Sequence, residues 1–201
     1  AALGDLDSPR GLTSLEDGSL LVAEVAGGRV LKWFPGKQKP QIILDNLPAT
    51  RKGPEQSPSG VAAALVHAGA TYFIVGEYRA KGYRELYRAL PGELPIGITG
   101  QDLMAVRPPN RLTNPFDLVL APAGGFFVSD SGRDAVWHIA EDGMISDYAL
   151  FDAREIRLTD GLAVVAVVPT GMTLGPDGAL YVASLTGYPF PPGRAYVYRL
   201  A

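Results

Sequence analysis

The chain contains no cysteine, which excludes disulfide bonds, a thiol nucleophile and thiolate metal ligands, and leaves the redox compartment undecided. It has no strong excess of either charge: the net value is −3, and nothing in the balance points to a nucleic-acid partner. No apolar run approaches the roughly 20 residues that a bilayer-spanning helix needs, so no transmembrane segment is read. No stretch keeps a 3.6-residue apolar stripe for three turns, which argues against a helical solenoid. No signal peptide is visible in the sequence and the first residue is Ala, not Met; the sequence reads as a processed mature protein, a trimmed form or a fragment. The two histidines, His67 in a hairpin turn and His138 beside Trp137, read as structural or solvent-facing.

What is plentiful points to strands. Of 201 residues, 47% are hydrophobic, while Gly (24) and Pro (17) are both common. A chain this long buries roughly 70% of its extended surface on folding, so a packed core needs no covalent staples. Apolar runs punctuated by Gly and Pro indicate many short strands and tight turns, not a disordered linker.

Four segments share one grammar. The first runs Pro9-Arg10-Gly11-Leu12-Thr13, the turn Glu16-Asp17-Gly18, Leu20 to Glu24, then Arg29 to Trp33. The fourth runs Pro169-Thr170-Gly171-Met172-Thr173, Pro176-Asp177-Gly178, Leu180 to Ser184, then Ala195 to Arg199. The third has Pro115-Phe116-Asp117-Leu118, Gly124-Gly125, Phe126 to Asp130 and Ala135 to Ile139. The second has Pro58-Ser59-Gly60-Val61, a turn at His67-Ala68-Gly69, Tyr72 to Glu77 and Tyr83 to Arg88. Asp-Gly and Gly-Gly turns between β-branched and aromatic runs predict antiparallel hairpins. A further strand follows in three copies: Gln41 to Asp45, Ile96 to Val106 and Ile145 to Phe151.

A period of about 50 residues with four strands per unit predicts an all-β fold, a β-propeller of four-stranded antiparallel blades. The expectation is a single domain over residues 1–201, with repeats at about 7–47, 56–106, 113–152 and 167–201. Ala1 to Leu6 precedes Pro9 as Ile42 to Leu47 precedes the second repeat, and the fourth repeat stops after three strands. This bookkeeping predicts closure of the last blade by residues 1–6 as its outer strand. The alternative is that the four repeats are part of a six-bladed ring.

The run from Val168 to Val182, followed by Leu185-Thr186-Gly187-Tyr188-Pro189-Phe190-Pro191-Pro192-Gly193, resembles the ScyD/ScyE family of NHL- and SMP-30-like propeller proteins. Ser8 to Leu12 with Leu20 to Glu24 is similar to that family's opening repeat, and Asn114-Pro115-Phe116 to its third. The resemblance implies export, hence a secreted or periplasmic location, and membership of a family named from gene clusters for the pigment scytonemin. Typical members are longer by about two repeats. No catalytic residue carries over, because the family supplies no settled catalytic motif.

The long loops, 76–83 and 186–193, and the inter-repeat stretches 49–57, 107–114 and 153–168 are expected on one face, the likelier binding surface. Glu24, Glu77 and Asp130 end equivalent strands. They are read either as a carboxylate cluster for a hard cation or acid–base work, or as caps of their own hairpins. Asp117 stands where the other repeats have Gly11, Gly60 and Gly171; buried, it needs a partner, for which Arg10 is the candidate. Tyr78, Tyr83, Tyr188 and Phe190 form an aromatic rim for a ligand, or else pack their loops onto the blades. No serine sits in a Gly-x-Ser-x-Gly elbow, and Gly27-Gly28-Arg29 is a hairpin turn with no helix behind it to hold phosphate. Two functions remain. One is an exported binding or scaffolding module for a protein partner or small ligand, for instance a subunit of an exported assembly. It requires no cofactor. The other is a propeller enzyme acting on a small molecule at the axial pocket, with a divalent cation such as calcium held by carboxylates. Fold alone does not choose between them.

Overall fold

A computed structural model of the protein describes residues 2–52, 57–78, 80–99, 111–158 and 161–201. Its fold class is the all-β propeller with four antiparallel blade sheets, and there is no helix among the described residues. The first sheet holds β1 (Pro9–Ser14), β2 (Leu20–Glu24), β3 (Arg29–Trp33) and β4 (Gln41–Leu44) in that order. The second holds β5 (Val61–His67), β6 (Ala70–Val75), β7 (Glu85–Ala89) and β8 (Ile96–Gly97). The third holds β9 (Pro115–Leu120), β10 (Phe126–Asp130), β11 (Ala135–Ile139) and β12 (Ile145–Leu150). A two-stranded hairpin follows, β13 (Arg154–Leu158) with β14 (Gly161–Val165). The last sheet holds β15 (Val167–Leu174), β16 (Leu180–Thr186) and β17 (Tyr196–Leu200).

The chain divides into two compact units, residues 1–111 and 112–201. In the first, Leu21, Ala23 and Val30 of the first sheet pack with Val61, Ala64, Phe73 and Val75 of the second. Its innermost strands come close: a Cβ on Gly11 would stand 2.6 Å from the Ala62 carbonyl oxygen, and the Thr13 hydroxyl donates to the Ala64 carbonyl at 2.7 Å. In the second unit, Phe127 and Val136 pack with Leu180 and Val182, and Phe151, Tyr198 and Leu200 extend that core. Fully burying a side chain of this size contributes about 1.5–3 kcal/mol. These strand interiors are therefore what hold each pair of sheets together.

The turns follow from chemistry that the sequence shows. Gly18, Gly143 and Gly178 adopt positive φ, which costs a glycine nothing. The aspartate before each accepts an N–H two residues on, in Asp17–Ser19, Asp142–Met144 and Asp177–Ala179. In the first and last sheets a cation on the third strand closes the turn: Lys32 Nζ reaches Asp17 at 2.7 Å and Arg199 Nε reaches Asp177 at 2.8 Å. The bond from Lys32, helped by Ser19, lowers the Asp17 carboxyl to about 2.

Two expectations differ from the structure. Residues 2–6 form no strand, and among the described residues the last sheet holds β15–β17. The backbone just after that segment is engaged by the first sheet: Asp7 N–H donates to Glu24 Oε1 at 2.8 Å and Val25 N–H donates to the Ser8 carbonyl at 3.0 Å. The stretch 153–168, expected as a loop, is mostly the β13–β14 hairpin. The predicted fourth strand of the second repeat begins as β8, and its remainder from residue 100 lies outside the described residues, as do parts of the expected loops 49–57, 76–83 and 107–114.

Candidate functional site

Register settles which positions correspond. Glu24 lies opposite Arg29 and Pro9, Asp130 opposite Ala135 and Pro115, and Ser184 opposite Tyr196 and Pro169. In the second sheet the residue opposite both flanking strands is Val75, paired with Glu85 and Val61. Glu77 lies two residues beyond β6, half-exposed, and is not the counterpart of Glu24. The same register replaces Gly60 by Ala63 as the counterpart of Gly11, Asp117 and Gly171, since Leu12, Ala64, Leu118 and Met172 are matched in pairing. The first strand of every blade is irregular at this place, so the second repeat is matched from Val61, three residues beyond the Pro58 that the sequence pattern suggests.

Glu24 and Asp130 are both completely buried, and their oxygens are bonded within their own sheets. Glu24 Oε1 accepts the Asp7 N–H, and Oε2 meets Arg29 Nε at 2.5 Å. Asp130 Oδ1 accepts the Thr113 hydroxyl at 2.8 Å, the Asn114 N–H at 2.8 Å and the Gly132 N–H at 3.0 Å. Its Oδ2 accepts the Thr113 N–H at 2.7 Å and the Trp137 indole N–H at 3.3 Å. Each carboxylate therefore ties the chain entering a blade to the hairpin that joins that blade's second and third strands. Asp130 accepts a backbone N–H of its own hairpin, from Gly132, whereas Glu24 reaches its hairpin through the Arg29 side chain. Among the described residues no three His, Asp or Glu side chains are grouped to hold a metal ion.

Asp117 is a different device. On β9, half-buried, it accepts the Leu118 N–H on Oδ1 at 2.8 Å and the Met172 N–H on Oδ2 at 2.6 Å. Burial raises its pKa, against the pull of those two bonds. Its counterpart Gly171 leaves room, with the Asp117 carboxylate 3.9 Å from where a Cβ would be. Ser129 completes the link: its hydroxyl accepts the Asp117 N–H at 3.0 Å and donates to the Thr170 carbonyl at 2.6 Å. Backbone groups of the second unit thus supply partners for both Asp117 oxygens. Arg10 lies on β1 in the first unit, where desolvation of its guanidinium lowers its pKa.

The aromatic set divides. Tyr83 is buried, Tyr78 packs against the first unit's core, and their rings lie 5.0 Å apart. Burial, then Tyr78, raises the Tyr83 pKa. These two pack their own loop. Tyr188 and Phe190 are 82% and 68% exposed, edge to face at 6.1 Å, and the loop is turned by the Phe190 N–H donating to the Gly187 carbonyl at 2.9 Å. His138 bonds the Gly124 carbonyl at 2.8 Å through Nε2.

A second feature of this unit escapes the sequence reading. An open depression of about 420 Å³ runs beside β17, lined by Phe151, Asp152, Arg154, Tyr196, Val197 and Tyr198 among others. The Arg154 guanidinium sits 4.0 Å from the centre of the Tyr196 ring, an attractive cation–π arrangement. A signal for it is the alternation within Arg154 to Leu158 and Gly161 to Val165, the two strands of the hairpin that delivers Arg154.

No family model matches the chain, and no curated protein sequence matches it. Solved structures do. The fold is shared with β-propeller proteins. Virginiamycin B lyase from Staphylococcus aureus, in a catalytically inactive form with quinupristin, is 15% identical with a TM-score of 0.60 over all of this chain and 58% of its own. A chain of a nidogen/laminin complex is 14% identical, TM-score 0.58, over 95% of this chain and 64% of its own. The extracellular domain of a putative hybrid two-component system from Bacteroides thetaiotaomicron is 13% identical, TM-score 0.50, over 96% and 22%. The chain thus spans less than two thirds of these structures. At such identities the likeness shows the fold alone, and the ScyD/ScyE resemblance rests on the residues that carry it. No helix among the described residues is long and apolar enough to cross a membrane.

Proposed function

We propose that this protein is an exported, non-catalytic binding module whose second unit offers the Tyr188–Phe190 loop to a protein partner or small ligand. The observation that carries this is the pair itself: two large rings, braced against each other by a turn, yet mostly open to water. Exposed aromatics on a short braced loop place apolar area where little ordering entropy is lost on contact. The carboxylates suited to chemistry are occupied otherwise, Glu24 and Asp130 by backbone and arginine bonds within their sheets. Export is supported by the family resemblance and by an extracellular domain among the matching folds.

A second reading, an enzyme acting on a small molecule, is favoured by one observation. Asp117 is a half-buried carboxyl of raised pKa on an innermost strand, a setting common to acid–base groups, and a lyase shares the fold. The test is capture from the native source with wild type and with Tyr188→Ala/Phe190→Ala. The expected result is a partner held by wild type and lost by the double variant, with melting temperatures equal. Equal retention by both proteins contradicts the binding reading. An activity abolished by Asp117→Asn in a folded protein supports the second one.

A further inference from the structure

The β13–β14 hairpin stands outside the four blade sheets, and it delivers a charge to the base of the aromatic loop. A narrow cleft of about 10 Å³, the space of one water-sized group, lies between Ile156 and Val165 of the hairpin and Ser184 and Tyr196 of the last sheet. Two arginines meet at its walls, Arg154 from β13 and Arg194 from the end of the Tyr188–Phe190 loop. Thr186 adds a second hydroxyl beside that of Ser184. Along β17, Tyr196 alternates with Tyr198 and Leu200, which pack toward the third sheet. The cleft therefore lies on the side of the last sheet that faces the third, since alternate strand residues share a face.

Arg29, Arg51 and Arg199 are each paired, with Glu24, Asp7 and Asp177. Neither Arg154 nor Arg194 has a carboxylate within ion-pair distance among the described residues, although Asp152 borders the adjoining depression with Arg154. Arg154 is also held in place: it lies over the Tyr196 ring at 4.0 Å from the centre, which fixes the cation without using its N–H donors. We infer that Arg154 and Arg194 form a carboxylate-binding site for the acid group of a small ligand whose apolar or aromatic body rests on Tyr188 and Phe190. Two forks of N–H donors match the two oxygens of a carboxylate. The cleft has room for one such oxygen and none for a ring, so the body of the ligand lies outside it. Four residues of chain separate Phe190 from Arg194, a span of at most roughly 14 Å that limits the ligand's length. The inference rests on the binding reading and deepens it by naming an apolar carboxylic acid as the ligand class.

The probe is phenylbutyrate, titrated into the full chain and followed by the arginine Nε–Hε resonances in heteronuclear NMR spectra. Saturable shifts are expected at Arg154 and Arg194 and none at Arg199, which Asp177 already engages. Arg154→Gln and Arg194→Gln are each expected to weaken binding about tenfold, the loss of one charge-assisted contact, with melting temperatures equal to wild type. Phenylbutanol, the alcohol of the same skeleton, is expected to bind at least about tenfold more weakly, a comparison that leaves the protein untouched. The inference is overturned by absent or non-saturable shifts, by equal binding of the alcohol, or by undiminished binding to both variants. Tighter binding of inorganic phosphate than of phenylbutyrate overturns it too, since the site then selects a different anion. Native-partner capture is scored on Tyr188 and Phe190 and the probe on the two arginines, so failure of this inference is read separately from failure of the binding reading.

Discussion

A carboxyl whose charged form is disfavoured by burial should announce itself in a stability profile, and Asp117 is that residue. Its folded pKa is raised above the ordinary 3.8, with desolvation the leading cause. Between those two values the folded state binds more protons than the unfolded one, so stability falls as pH rises through that window and levels off above it. Asp117→Asn should flatten this part of the profile; urea denaturation at a series of pH values checks it, and an unchanged slope contradicts the assignment. The residue was legible as exceptional, because an aspartate replaced glycine in a repeat. Its partners were not, since the Leu118 and Met172 N–H groups have no signature in side-chain identity. Tyr83 and Tyr188 make the same point: identical side chains, one buried and one 82% exposed, sorted by packing that a linear sequence does not encode.

Among the elements, the blades were readable because each hairpin is local. Asp-Gly turns between β-branched runs placed β1–β3, β9–β12 and β15–β17 within a residue or two of their bounds. The β13–β14 hairpin is not legible from the repeat, because the repeat grammar assigns that stretch to a connection. The carboxylate staples belong to this scale, since they join elements. Asp130→Asn puts an amide nitrogen where N–H donors of Thr113, Asn114 or Gly132 now bond. Leaving such donors unpaired in a buried position should cost about 2–3 kcal/mol, read as a lowered denaturation midpoint with unchanged slope. A loss below 0.5 kcal/mol, the size of an ordinary surface change, contradicts the staple role.

For the molecule as a whole, the repeat revealed the fold class and left the function open. Periodicity reports what every blade shares, whereas a binding surface depends on what one blade has alone, such as the Tyr188–Phe190 loop. The most direct measurement is hydrogen–deuterium exchange of the full chain with and without its captured native partner. The account predicts slowed exchange over 187–193 in the second unit, with the amides of 115–120 and 169–172 unchanged. Protection confined to 115–120 and 169–172, around Asp117, with 187–193 exchanging freely, contradicts it.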